Sequence, residues 1–575
     1  MKKYFYLFLL SLLPMVASAK DAVEIDGIYY NNFDIEAKTV EVTSNPNNYK
    51  GNVTIPGAVD YDGTTYNVVT IGFMAFADCT GLTSVTIPNS VTTIEIWAFQ
   101  NCSALASITI PNSVTAIGLE AFNGTAWYNS QSDGLLYLQN WLLGYKGEKP
   151  TGAITVADGT RGIAYCAFQN CSGLTSITIP DGVISIGGSA FADCTGLTSV
   201  TIPNSVTTIE IWAFQNCSAL TSITIPGSVT DISYSVFNGC TGLTSIIVDE
   251  SNPNYKSEDG VLFTKDGTTL MVYPVKKAGT VYNIPDGVTT IELYAFKDCT
   301  GLTSVTIPDG VTTIKAYAFK DCTGLTSINT PGSLTSIGDF VFQNCSSLTS
   351  YTIPDGMTEI GISLFQGCKS LTSVTIPNSV TDIGIEAFHK CSSLKSVTIP
   401  DGVTIIGYRT FSECSSLTSV TIPNSVTGIG YLAFDQCTNL ATLTIGRGIT
   451  RIILDAFSSC PKLTDVYCRA KKVPVTDSEA FDGSNINKAT LHVPEASVSD
   501  YKAASPWSQF KEIVPMDVEA IDGDANGDEE VNVADVDFVI EHIGEALNDS
   551  NKAADVNTDG DINVADVDYI IERIK

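Results

Sequence analysis

Residues 75–94 read Ala75-Phe76-Ala77-Asp78-Cys79-Thr80-Gly81-Leu82-Thr83-Ser84-Val85-Thr86-Ile87-Pro88-Asn89-Ser90-Val91-Thr92-Thr93-Ile94, and the phenylalanine of this phrase returns every 23 residues. It stands at Phe76, Phe99 and Phe122, then at Phe168, Phe191, Phe214 and Phe237. It resumes at Phe296 and runs through Phe319, Phe342, Phe365, Phe388, Phe411, Phe434 and Phe457 to Phe481. From Phe122 to Phe168 is two periods, which implies one degenerate coil, and the 59 residues from Phe237 to Phe296 imply an inserted segment.

Within the period, Leu82, Val85 and Ile87 fit the L-x-x-L-x-L spacing of a leucine-rich repeat. A short strand is predicted over 83–87, with Val85 and Ile87 inward and Ser84 and Thr86 outward, ended by Pro88 and Asn89. Val91 and Ile94 begin a second apolar stretch. One such unit cannot bury its apolar face alone, whereas stacked units bury a continuous core. The chain is therefore predicted to be mainly β, a leucine-rich-repeat solenoid of about 17 coils, on the order of 80 Å long at the stacking distance of strands. One face should be paved with serine and threonine. Residues 90–113 and 205–228 are nearly the same text, 115 residues apart, so whole coils have been copied.

The cysteines keep the same interval: 14 of 16 lie three residues after the phenylalanine, and only Cys166 and Cys468 do not. Thr125 and Ser484 stand in where the ladder skips, so the position calls for a small side chain with a weak hydrogen-bonding group. Buried structural thiols fit this better than disulfides or metal ligands, because stacked neighbours point the same way.

At 575 residues the chain exceeds one compact core, and its net charge of −31 repels nucleic acid and anionic lipid. Lys2 and Lys3, an apolar run over 4–16 and Ala17-Ser18-Ala19 read as a secretory signal, with a mature chain beginning near Lys20. No later apolar run has the length of a membrane span, so an exported, secreted or cell-surface protein is expected. The expected organisation is a signal peptide at 1–19, an N-terminal β cap at 20–66, the solenoid at 67–490, a C-terminal cap at 491–515, a linker at 516–521 and a small helical domain at 522–575.

Two segments, near 124–150 and 250–280, interrupt the period, and both read as hairpins. The first sets Leu135-Leu136-Tyr137 against Trp141-Leu142-Leu143 around Gln139-Asn140. The second sets Val261-Leu262-Phe263 against Leu270-Met271-Val272 around Asp266-Gly267, a pair that favours a tight turn. Trp127, Tyr128, Tyr137, Trp141 and Tyr145 crowd the first insert and could form a sugar-stacking or protein-contact platform, or simply pack the insert onto the solenoid.

The period and the A-F-x-x-C-x-x-L-T-S-V-T-I-P phrase resemble the BspA-like surface leucine-rich repeat proteins over residues 22–513. The caps share the resemblance, through Ile28-Tyr29-Tyr30 with residues 52–66 in front and Tyr501-Lys502-Ala503-Ala504 with Trp507 and Phe510 behind. It implies a protein-binding or adhesion surface, with host matrix proteins, other cells or polysaccharide as ligand classes. The cysteine here precedes the strand, unlike the general leucine-rich motif. No nucleophile with a base, paired carboxylates or histidine cluster stands out, since His389, His492 and His542 fall in three regions. A non-enzymatic protein with no catalytic residues is therefore expected.

After residue 516 the composition turns to Asp and Asn, and one pattern occurs twice, 31 residues apart. The copies are Asp524-Ala525-Asn526-Gly527-Asp528-Glu529-Glu530-Val531-Asn532-Val533-Ala534-Asp535 and Asp555-Val556-Asn557-Thr558-Asp559-Gly560-Asp561-Ile562-Asn563-Val564-Ala565-Asp566. Oxygen ligands at positions 1, 3, 5 and 12 of a twelve-residue loop, with a carbonyl at 7 and a water at 9, converge on one calcium ion. Amphipathic helices are predicted over 536–543 and 567–574. In the first copy Glu529 sits where glycine makes the sharp turn, and a non-glycine there costs about 1 kcal/mol, so a weaker first site is expected.

The paired loop-helix pattern, with Asp at position 12, resembles a type I dockerin, the module that clips exported proteins to cohesin domains on a scaffold. The resemblance assigns Asp524, Asn526, Asp528, Glu530, Asn532 and Asp535 to one calcium ion and Asp555, Asn557, Asp559, Asp561, Asn563 and Asp566 to a second. It places partner contacts at Val533, Ala534, Val564 and Ala565. An adhesion solenoid tethered by calcium-dependent docking to a cohesin-type partner follows. The rivals are a subunit, catalytic or not, of a polysaccharide-degrading assembly, and a structural spacer.

Overall fold

A computed structural model describes residues 22–516, 533–543, 554, 556 and 562–574. The signal-peptide reading and most of the predicted loop ligands lie outside these residues.

The repeat folds as a β-solenoid of about 19 turns, each with three sides. One side is a strand such as Leu82–Thr86, in which Leu82 and Val85 are buried, as is Ile87 just beyond it. A second is a two-residue strand such as Thr93–Ile94. Both pair in parallel with their equivalents one period on, as Ser222 with Ser245 and Thr208 with Asp231. The third side carries the phenylalanine on a ladder of tight turns, in which the amides of Trp97, Phe99 and Asn101 donate to the carbonyls of Leu119, Ala121 and Asn123 at 3.0, 2.8 and 2.8 Å.

The turn side explains a sequence feature that hydrophobic patterning does not reach. Two residues per turn adopt left-handed backbone, Trp97 and Asn101 at φ 57° and 59°, Tyr317 and Asp321 at 59° and 60°. Asn and Asp tolerate this region better than other non-glycine residues, which accounts for their frequency two places after the phenylalanine. Their side chains also bond from turn to turn, Asn101 Nδ2 donating to Asp78 Oδ1 at 2.9 Å and Asn216 Nδ2 to Asp193 Oδ1 at 2.8 Å.

Inside, the phenylalanines stack nearly parallel, with centroids from 4.8 Å for Phe296–Phe319 to 5.9 Å for Phe214–Phe237. Tyrosine extends the column: Tyr49 lies 4.5 Å from Phe76, and Tyr273, one period before Phe296, lies 5.0 Å from it. A count by phenylalanine alone therefore falls short of the observed turns. The thiols form a second column. Cys102 Sγ donates to Phe76 O at 2.9 Å, Cys240 to Phe214 O at 3.0 Å and Cys391 to Phe365 O at 3.1 Å. Ser484 Oγ makes the same bond back to Phe457 O, whereas Thr125 Oγ1 turns to Phe122 O within its own turn. All sixteen cysteines are free thiols.

The serine and threonine surface is less available than its composition suggests. Thr115, Thr207 and Thr312 Oγ1 donate to the carbonyls of Thr92, Ile184 and Thr289, one period back, and Thr198, Thr244 and Thr326 do the same beside the longer strands. These hydroxyls tie turn to turn.

Both ends are closed. At the front, strands Ile28–Asp34 and Thr39–Thr43 pair antiparallel. At the back, Phe481 meets Trp507 and Phe510 edge-on, and Tyr501, on the helix Val498–Ala503, donates its hydroxyl to Ala470 O at 2.9 Å. Both hairpins form, Gly134–Leu138 with Trp141–Lys146 and Val261–Thr264 with Thr269–Val272, and a third strand, Tyr255–Glu258, joins the second. The second hairpin turns through four residues, with Gly267 N–H donating to Thr264 O, rather than by a two-residue loop.

Candidate functional site: the tail helices and the first hairpin

In the tail, helices Val533–His542 and Val564–Ile574 pack together over Val539, Ala554, Ile562 and Ile570. Asp535 and Asp566 occupy the same place in the two copies, in the first turn of each helix, and both are 0% exposed. Asp566 Oδ2 accepts the Asn563 N–H at 2.9 Å, and Asn563 Oδ1 accepts the Ala565 N–H at 2.8 Å, which caps the second helix and fixes both side chains at the end of the loop. Aspartates fixed at position 12 of an all-oxygen donor set suit calcium. Asp524, Asn526, Asp528, Glu530, Asn532, Asp555, Asn557, Asp559 and Asp561 lie outside the described residues. Val533 and Ala534 open the first helix, and Val564 and Ala565 open the second with Val564 62% exposed. Ile540 and Ile571, equivalent residues of the two helices, are exposed apolar side chains.

Of the two roles open to the insert aromatics, packing onto the solenoid accounts for most of them. Trp141 is 1% exposed, because its ring lies against Gly162, where a Cβ would meet the Trp141 ring at 2.4 Å. Trp127 packs edge-on to Phe122 at 6.3 Å, and Tyr137 accepts the Ala157 N–H on its hydroxyl. Lys146 Nζ sits 5.3 Å over the Tyr128 ring and donates to the carbonyls of Tyr128, Asn129 and Gln131. Tyr145 falls one period after Phe122, at the ring position of the repeat, and burial with the Cys171 thiol beside it pushes its hydroxyl up to about 12. Of the five, Tyr128 and Tyr145 line an open cleft of about 700 Å³. The sequence signal for Tyr145 and Tyr273 was the interval itself, which tyrosine keeps as well as phenylalanine.

The three histidines stay apart. His389 is buried with Nδ1 3.2 Å from Ser412 O, His492 stacks on Tyr467 at 4.2 Å, and His542 Nδ1 lies 2.8 Å from Phe538 O. Among the described residues no group of three or more His, Cys, Asp or Glu could hold a metal ion, and no helix is long and apolar enough to cross a membrane.

The family model for BspA type leucine-rich repeats matches residues 64–132, 148–258, 278–395 and 381–502. The chain belongs to this family. Residues 522–575 match the dockerin type I domain, a module that binds calcium and pairs with cohesin-type partners. No curated relative matches. Among solved structures, a leucine-rich repeat protein from Bacteroides ovatus is 26% identical over 86% of this chain and 100% of that one, with a TM-score of 0.42. The pneumococcal vaccine antigen PcpA is 18% identical over 86% and 99%, with a TM-score of 0.32. A leucine-rich cell surface protein from Faecalibacterium prausnitzii is 26% identical over 78% and 94%, with a TM-score of 0.27.

Proposed function

We propose that this BspA-type protein is exported and serves as a non-catalytic binding solenoid, held in a larger assembly or at the cell surface by its dockerin module. The observation that carries the reading is the pair of fully buried aspartates, Asp535 and Asp566, at matching places in two loop-helix copies of a dockerin type I domain. In this reading Asp524, Asn526, Asp528, Glu530, Asn532 and Asp535 bind one calcium ion, and Asp555, Asn557, Asp559, Asp561, Asn563 and Asp566 a second. Bound calcium would supply the positive charge that lets these carboxylates share one centre at the start of each helix. Val533, Ala534, Val564 and Ala565, with the exposed Ile540 and Ile571 beside them, form the cohesin-facing surface. The signal sequence at 1–19 supports export.

Capture of the full chain on immobilised type I cohesins, with calcium and then with chelator, tests this. Capture that needs calcium and is lost in a variant carrying Asp535→Ala and Asp566→Ala is the expected result. Capture that survives both chelator and the double substitution contradicts it.

A further inference from the structure

Along the solenoid the phenylalanine amide is bonded to the next turn: Phe99 donates to Ala121 O, Phe168 to Ala190 O and Phe319 to Val341 O. At Phe122, Phe237 and Phe481 the amide has no acceptor among the described residues. Two of these breaks are closed. Phe481 is covered by Trp507 and Phe510. At the second, the hairpin strand Val261–Thr264 fills the gap: Leu262 packs in the core of Phe237, while Val261 and Phe263 pack in the core of Phe296.

The first break is different. There the hairpin bridges the stack along one side, where Trp141 and Leu142 pair with Gly162 and Ile163. The Tyr165 N–H reaches Ile117 O directly at 2.9 Å, which joins the turns on either side at one end. On the ring side a cleft of about 700 Å³ remains, with Glu120 and Phe122 on one wall, Ala167 and Gln169 on the other, and Leu143 and Tyr145 from the hairpin. That volume lies in the range of ligand sites.

The walls offer complementary backbone groups, with Gln169 O approached by the Cys171 thiol at 4.0 Å and Ala167 O lying against the hairpin backbone at Gly144. Among the described residues, the N–H groups of Glu120 and Phe122 have no acceptor, and the carbonyls of Ala167 and Gln169 receive no N–H. Elsewhere the same positions are joined through each intervening turn. Donors at alternate residues facing acceptors at alternate residues are the two edges that an extended polypeptide satisfies together. A saccharide would want an exposed ring face, whereas of the two tryptophans of the insert Trp141 is buried and Trp127 packs edge-on to Phe122.

We propose that the first break in the ladder is a peptide-binding cleft, in which an extended segment of a partner protein lies between the turns at 119–123 and 167–170, beyond the direct Tyr165–Ile117 bond, and supplies the missing rung. This rests on reading the solenoid as a partner-binding surface, and its test is independent of calcium and cohesin. Carbonyls of the bound segment accept from Glu120 and Phe122, its amides donate to Ala167 and Gln169, and an apolar side chain lies against Leu143.

The probe is a synthetic copy of one regular turn of this chain, residues 94–103, with serine in place of its cysteine. Hydrogen exchange of the full chain is followed with the peptide at about 1 mM, a concentration suited to weak sites. Exchange over 118–125 is expected to slow about tenfold while the intact turn at 95–102 is unchanged. The same peptide N-methylated at the amides that correspond to Trp97, Phe99 and Asn101 should have no effect, and Leu143→Trp should abolish the protection. No slowing, equal slowing by the methylated peptide, or slowing produced instead by a cello-oligosaccharide would each overturn the proposal, and the methylated arm holds even if Leu143→Trp disturbs the fold.

Discussion

The solenoid and the tail are stabilised in different ways. The solenoid repeats one apolar lattice, and each turn adds a stacked ring, a thiol hydrogen bond and amide rungs to the turn before it, as Phe388 does between Phe365 and Phe411 at 5.5 and 5.3 Å. Its stability grows turn by turn. The described core of the tail is Val539, Ala554, Ile562 and Ile570, with Asp535 and Asp566 buried in the first turns of its helices. A unit this small depends on a staple, and its acids make calcium the fitting one. Periodicity stabilises the long part and ion binding the short one, so each should fail under conditions that spare the other.

The largest expected effect is alkaline collapse of the solenoid. Burial pushes the ladder thiols up, Cys102, Cys194 and Cys414 to about 12 from an ordinary 9.0. Thiols raised in the folded state contribute their full stability below pH 9.0, and it is lost as pH climbs through the folded value. Thermal melts followed from pH 8 to 12 should show the solenoid transition falling steeply over that window, and a flat profile would contradict the thiol ladder. Next in size, Phe388→Ala removes one ring from the column and should cost about 3–5 kcal/mol by chemical denaturation, leaving calcium binding unchanged. Asp566→Asn should then weaken calcium binding at its loop by on the order of 100-fold in calorimetry without moving the solenoid transition. Smallest, Glu529→Gly should tighten the first calcium site roughly fivefold, since it removes about 1 kcal/mol of backbone strain.

How much was legible in the sequence follows the same division. A period kept over many copies fixes strand, core face and thiol column, because every copy reports the same environment; Leu82, Val85 and Cys79 were readable for this reason. Where the period broke, the reading weakened. For Trp141 the sequence leaves platform and packing both open, because its partner is Gly162, whose missing side chain leaves no mark in hydrophobic patterning. Tyr145 looked like an insert residue because the ruler was read in phenylalanines. The open cleft was legible only through Tyr128 and Tyr145, which line it, while its backbone amides and carbonyls leave no mark in the sequence. In the tail, the helices and the equivalence of Asp535 and Asp566 followed from the duplicated text, but the depth of their burial did not.

The most direct test of this two-part account is hydrogen exchange of the full chain in calcium and then in chelator. The account predicts that amides of Val533–His542 and Val564–Ile574 lose their protection on chelation, while rungs such as Phe99 to Ala121 and Phe388 to Thr410 keep theirs unchanged. Protection of the tail helices that persists without calcium, or a loss that spreads through the solenoid rungs, would contradict it.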